Sequence, residues 1–111
     1  MPYDTQAADG IRVLLNDRHD VVERKMMGGL VFMVRGHMCV SASGRGGLLV
    51  RVGPERQAGT LKEPHVKPMR IAGREMKGFV RVMPEGYRTA AQLRKWVKRG
   101  VDFVTTLPPK R

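Results

Sequence analysis

Cysteine and aromatic residues are scarce in this chain of 111 residues, which has one cysteine and only 5% Phe, Trp and Tyr. A single cysteine excludes an intrachain disulfide and favours a cytoplasmic setting. The low aromatic content argues against a platform on which single-stranded nucleic acid would stack. The apolar runs are far too short to span a bilayer, and the first residues show no signal peptide. We therefore expect a cytoplasmic protein that does not enter the membrane.

Acidic residues are also few, and the charge is unevenly distributed. The chain carries 10 Asp and Glu against 21 Lys and Arg, a formal net charge of +11 at pH 7. Residues 56–111 hold fourteen of the basic residues and four of the acidic ones, so nearly all the surplus lies in the second half. This half favours an anionic partner such as nucleic acid, and the alternative is a solvated surface kept soluble by its charge.

Apolar spacing and turn residues predict an α+β protein. Strands are expected over residues 21–27, 30–34, 37–42, 48–52 and 79–82, with 66–71 as an edge strand. Helices are expected from Asp4 or Thr5 to about Asn16, briefly after Gly53, and from the Thr89–Gln92 capping box to about Thr106. We expect a single domain over residues 1–111, a two-layer sandwich. Its antiparallel sheet has about five strands, with the N- and C-terminal helices packed on one face.

Several short motifs link the chain to a known family. They are the runs KMMGGLVFMVRGHM, LVRVGPE, PHVKPM and GREMKG, followed by residues 93–96 and 107–109. In this order and spacing they resemble the N-terminal domain of the TfoX/Sxy regulators of natural competence, from about residue 4 to 110. Met27 is a departure, because an aromatic residue is usual there, and we interpret it as a core substitution.

The resemblance implies a fold and a process. It implies the α+β fold described above and a role in bacterial transcription regulation of competence genes, alongside the cyclic-AMP receptor protein. Full-length members carry a second, helical domain after this one. Because the sequence ends at Arg111, we expect a stand-alone domain that lacks the C-terminal TfoX domain.

Two clusters of basic residues are candidate nucleic-acid contacts. The first follows the polar arc of the last helix and consists of Arg88, Arg94, Lys95, Lys98 and Arg99. The second lies in or beside a stretch predicted to be irregular, and consists of Lys67, Arg70, Arg74, Lys77 and Arg81 with Lys62 nearby. Such residues would contact phosphates without reading sequence. The alternative is a solvated helix face and a loop that wraps the sheet.

We find no pattern typical of a catalytic, cofactor or metal site. His37 and Cys39 are two ligands at most, whereas zinc takes three or four. Two strand side chains at i and i+2 are also poorly placed to act as base and nucleophile. The glycine-rich segment Ser43–Gly47 lacks the features of a phosphate loop and predicts a hairpin turn. We expect a protein that is not an enzyme and has no catalytic residues, no cofactor and no metal.

Two functions are consistent with these observations. The first is a non-enzymatic regulatory or adaptor domain that contacts a protein partner, such as the transcription machinery. Such a domain could also associate with itself through a strand edge near Val66–Ile71 or Phe79–Val82. The alternative is electrostatic nucleic-acid binding through the basic C-terminal half. Salt distinguishes the two, because phosphate binding weakens steeply as salt rises.

Overall fold

The computed structural model describes residues 3–109, which form one six-stranded sheet and three α-helices. The elements follow in the order α1 (Thr5–Leu14), β1 (Val21–Met26), β2 (Gly29–Val34), β3 (His37–Ala42), β4 (Leu48–Arg51), α2 (Pro54–Thr60), β5 (Val66–Ile71), β6 (Arg74–Val82) and α3 (Ala90–Val104). A short 3-10 turn, Pro84–Gly86, precedes α3. The predicted elements are all present, with ends displaced by a few residues except in β6.

All neighbouring strands are antiparallel, in the order β1-β2-β3-β4-β6-β5. Helices α1 and α3 contact each other and the central strands, while α2 packs against β6. The prediction of an α+β sandwich with the terminal helices on one face is confirmed, and the sheet has six strands where about five were expected. Strand β6 lies between β4 and β5, so Phe79–Val82 is an interior segment. The suggestion that it offers a free edge is wrong.

The segment predicted to be irregular forms largely a β-hairpin, with a shift of register between Pro68 and Arg70. Strands β5 and β6 pair across the two residues Ala72 and Gly73, both with positive φ (53° and 79°). Hairpin turns of type I′ need positive φ at both residues, and Asn-Gly or Asp-Gly is their usual sequence signal. Ala72 gives no such signal, whereas Pro68 correctly indicated an edge strand. The second basic cluster therefore lies largely on a hairpin and not in a loop.

Both terminal helices begin at the predicted caps. The Asp4 carboxylate accepts a hydrogen bond from the Ala7 N–H at 3.0 Å. At α3 the Gln92 N–H donates to the Thr89 hydroxyl at 3.1 Å, and the Thr89 N–H donates to the Gln92 side-chain oxygen at 2.9 Å. These reciprocal bonds satisfy two N–H groups that have no partner inside the helix.

The core lies between the helices and one face of the sheet. Trp96 and Phe32 are its largest fully buried side chains, and the Trp96 indole N–H donates to the Gly86 carbonyl at 2.9 Å. A β-bulge in β3 turns both Cys39 and Val40 toward the core. Among the described residues, no helix is both long and apolar enough to cross a membrane.

Candidate interaction surfaces

The basic side of α3 is partly neutralised by acidic residues of the same chain. Arg99 donates to Glu63 at 2.6 Å, and the Lys95 ammonium lies 3.8 Å from the same carboxylate. Lys98 pairs with Asp102 at 2.8 Å, one turn further along the helix. Exposed ion pairs of this kind contribute about 0–1 kcal/mol each. They nevertheless reduce the positive potential that a phosphate would meet.

The Trp96 ring engages two of the same cations. The Lys95 ammonium lies 4.8 Å and the Arg99 guanidinium 4.6 Å from its centroid. Both side chains are therefore held against the helix by an aromatic face as well as by Glu63. Arg88 and Arg94 are exposed and form no ion pair with the described residues. Within the first basic cluster, these two are the members without an ion-pair partner among the described residues.

The second basic cluster has a different environment. Lys67, Arg70, Arg74 and Lys77 are exposed on the β5–β6 hairpin, and no carboxylate of the described chain forms a salt bridge with them. Lys62 lies just beyond α2. Since β5 is an edge strand, Lys67 and Arg70 lie on the open edge of the sheet, whereas Arg74 and Lys77 lie on the neighbouring strand β6.

The face of the sheet turned away from α1 and α3 carries a groove of about 320 Å³. Its floor includes Ser41, Leu49 and Arg81, which are register partners on β3, β4 and β6. The residues that alternate with them point into the helical core, so these three point away from it. Leu49 is only 5% exposed although no helix covers it. The floor is therefore recessed below the groove walls.

The walls of the groove are apolar and come from two hairpins that are distant in sequence. Met26 and Met27, at the β1–β2 turn, form one side, and they are 39% and 59% exposed. Ile71 of β5, 37% exposed, forms the other side, and the neighbouring Met69 is buried at 2% exposure. Large apolar side chains clustered at the surface around a concavity are typical of binding sites. Methionine adapts its shape to different partners, which suits such a wall.

The charge inside the groove has one sign. Arg45, Arg70 and Arg81 line it, and no acidic residue does so in the described part of the chain. Arg81 donates from Nη1 to the Ser43 hydroxyl at 2.9 Å and to the Gly46 carbonyl at 2.6 Å. Burial lowers the pKa of Arg81, and the charge of Arg45 lowers it further. An arginine side chain nevertheless stays protonated at neutral pH, so the groove holds a cation without a carboxylate partner.

The two residues considered for metal or nucleophilic chemistry are separately engaged. The His37 ring bonds through Nε2 to the Pro108 carbonyl at 2.7 Å. Cys39 is buried against α3, and this burial raises the pKa of its thiol to about 12. Reactive cysteines are exposed and have a lowered pKa, so Cys39 is a core residue. Within residues 3–109 no three His, Cys, Asp or Glu side chains gather to hold a metal ion.

All six strands of the sheet lie within a region of the chain that matches one known protein family. Residues 13–104 match the family model described as the TfoX N-terminal domain. The chain belongs to this family. The match runs from the end of α1 to the last residue of α3 and confirms the resemblance seen in the short motifs. Curated proteins and solved structures give no match.

In this TfoX N-terminal domain the predicted basic residues do not form one surface. Arg70 and Arg81 meet in the groove, whereas Arg88, Arg94 and the ion-paired lysines belong to the α3 side. The groove walls Met26, Met27 and Ile71 were not predicted as site residues, and the interpretation of Met27 as a core substitution is wrong, because its side chain is 59% exposed. A usable signal was present: methionines beside the Gly28-Gly29 turn, where exposure is common. Nothing in the sequence showed that the second wall would stand opposite.

Proposed function

We propose that this TfoX N-terminal domain is a non-enzymatic regulatory or adaptor module that acts through protein contacts, and that the groove is its contact surface. The observation that carries the proposal is the pair of exposed apolar walls around a recessed floor. Apolar contact area is the main source of affinity between proteins. Following the TfoX/Sxy resemblance, we propose a cytoplasmic bacterial partner within the transcription machinery.

The polar residues of the fold support a binding role better than a catalytic one. Cys39 is buried with a raised pKa, and His37 is held by a backbone carbonyl. The Arg81 guanidinium has no titratable neighbour in the groove other than further arginines. Catalysis by acid and base needs groups that exchange protons near neutral pH, and arginine does not supply one.

Site-specific photocrosslinking tests the proposal. A photoreactive amino acid would replace Met27 in the groove or, as a matched control, Val13 on α1. The two apolar side chains are similarly exposed, at 59% and 67%, but Val13 lies on the helical side of the molecule. We expect discrete protein adducts from position 27 in bacterial cells and none from position 13. Equal adducts from both positions would refute the groove as the contact surface.

Electrostatic nucleic-acid binding is the second candidate, and the unpaired cations of the β5–β6 hairpin favour it. Titration of labelled duplex DNA at several salt concentrations tests it, with the Lys67→Glu/Arg74→Glu/Lys77→Glu variant beside Arg88→Glu/Arg94→Glu. If this candidate is right, affinity falls steeply with salt and the hairpin variant loses most of it. Under the protein-contact proposal, both variants weaken any DNA binding to a similar extent per reversed charge, because no one surface is the binding site.

A further inference from the structure

The arginine on the groove floor has unused donors. Arg81 uses Nη1 for both of its hydrogen bonds, so Nε and Nη2 donate to no described residue. Neither nitrogen is sealed from solvent. A guanidinium presents its donors in a rigid fork that fits a carboxylate with two parallel bonds. The accessible donors of Arg81 therefore form a ready site for such an oxyanion.

Further positive charge surrounds this fork. Arg45, in the β3–β4 turn, and Arg70, on β5, line the same groove as Arg81, and no acidic residue of the described chain lines it. Glu75 is the cross-strand partner of Arg70 but is not among the lining residues. The Ser43 and Gly46 oxygens are hydrogen-bond acceptors and carry no full charge. Like charges held together are stabilised when an anion binds between them. The groove is thus complementary to a negatively charged group of a ligand and disfavours a positively charged one.

The walls limit what can carry that negative group. Met26, Met27 and Ile71 offer apolar surface, which a phosphodiester backbone does not match but an aliphatic or aromatic side chain does. The groove volume of about 320 Å³ is at the lower end of small-molecule pockets. The side chains of Met26, Met27 and Ile71 each stay more than a third exposed, while Met69 beside Ile71 is buried. This shape fits one or two side chains of a longer segment better than it encloses a free ligand.

We infer that the groove takes a segment of a partner protein in which an Asp or Glu lies beside one or two large apolar residues. The carboxylate binds the fork of Arg81, and the apolar side chain lies between Met26–Met27 and Ile71. The inference rests on the proposed function and adds the chemistry of the partner. A hydrogen-bonded pair of charges, partly shielded from water, fixes the register of a segment whose apolar contacts alone would allow it to slide.

A phage-displayed random 12-residue peptide library tests this inference on the intact protein. Selection on the wild-type protein is followed by counter-selection on the Met26→Glu/Ile71→Glu variant, in which both walls are charged. We expect the enriched peptides to share an acidic residue within three positions of a large apolar one. Replacing that acid by its amide should weaken binding about 10- to 100-fold, the effect of losing a hydrogen bond to a charged group.

Variants on the protein side separate charge from structure. Arg81→Gln should cause a similar loss, but Arg81 also holds the β3–β4 turn. Arg45→Gln/Arg70→Gln removes two charges from exposed side chains instead. The control Arg88→Gln/Arg94→Gln removes the same charge on the α3 side. We expect weaker peptide binding for the groove pair and no change for the control pair.

The possible failures are distinguishable. Enriched groove-dependent peptides without an acidic residue, or equal binding by the groove and control pairs, would overturn the carboxylate inference and leave protein contact standing. No enrichment over the charged-wall variant would overturn the inference. If position 27 also gave no protein adducts in cells, the proposed function would fail with it. A further outcome is the enrichment of acidic peptides that bind the groove variants as tightly as the wild-type protein. That result would show that general charge attraction holds them, and it would overturn the groove as their binding site.

Discussion

Gly100 shows how one residue adjusts the distance between a helix and the sheet. It lies inside α3, where glycine is normally less favourable than alanine by about 1 kcal/mol. A Cβ at this position would fall 2.9 Å from the Cys39 carbonyl oxygen and 3.0 Å from its sulfur. The missing side chain therefore lets α3 approach the bulged strand β3 closely.

We predict that Gly100→Ala destabilises the protein by about 1–3 kcal/mol, the usual cost of overpacking a core. Gly59→Ala is the matched control, because Gly59 is also helical but a Cβ there meets nothing within 4 Å. It should stabilise by about 0.4–1 kcal/mol. Urea unfolding of both variants measures the two changes. A Gly100→Ala protein as stable as the wild type would show that the helix can move away at no cost.

The last helix, α3, is held in place both by interactions close in sequence and by contacts with distant parts of the chain. Its capping box fixes where it begins, and its buried arc, which includes Leu93, Trp96 and Val97, packs against the sheet. The polar arc contributes ion pairs to Glu63, in the segment between α2 and β5, and so links two elements that are far apart in sequence. The helix is thus fixed at its start, on its buried side and on its basic side.

We predict that Thr89→Ala lowers the free energy of unfolding by about 1 kcal/mol, as loss of an N-cap does. Because Thr89 and Gln92 bond reciprocally, the double variant with Gln92→Ala should lose less than the sum of the two single losses. Chemical denaturation of the wild-type protein, the two single variants and the double variant gives the coupling free energy between Thr89 and Gln92. Thr5→Ala serves as control, since Thr5 begins α1 without being its cap. Strict additivity would mean that the two bonds act independently.

In the molecule as a whole, both sides of the sheet carry positive charge, and the two sides differ in how much of it is paired with carboxylates. The helical side carries the α3 cations, most of them paired, while the open side carries the groove and the unpaired hairpin cations. The net charge of +11 favours expansion of the chain through self-repulsion. Few acidic residues are available to offset it.

We predict that added sodium chloride raises the melting temperature by a few degrees between about 0.01 and 0.15 M, because the Debye length shortens from about 30 to 8 Å. The Lys67→Glu/Arg74→Glu/Lys77→Glu variant, with less net positive charge, should gain less. Thermal unfolding followed by circular dichroism measures both. A melting temperature that falls with salt would show that ion pairs such as Arg12–Glu23 outweigh the general repulsion.

Local sequence patterns were sufficient to predict the helices and strands of this protein. Alternating apolar residues, glycine turns and two helix caps are local patterns, and each is stabilised by interactions within a few residues, so they could be recognised without knowing the fold. The Ala72-Gly73 hairpin was missed for the same reason, since its turn carries a weak local signal. The family followed from the order of short motifs.

Contacts between residues distant in sequence could not be predicted in this way, because they depend on how the elements pack. The groove walls at Met27 and Ile71 belong to the first and the last hairpin of the sheet along the chain. Arg99 and Glu63, which form an ion pair, are 36 positions apart. Periodicity shows which face of a strand is apolar, but the order of strands in the sheet determines which side chains of other strands lie next to that face. The placement of β6 between β4 and β5 brought Arg81 to the groove floor, and no pattern within a short window specifies that pairing.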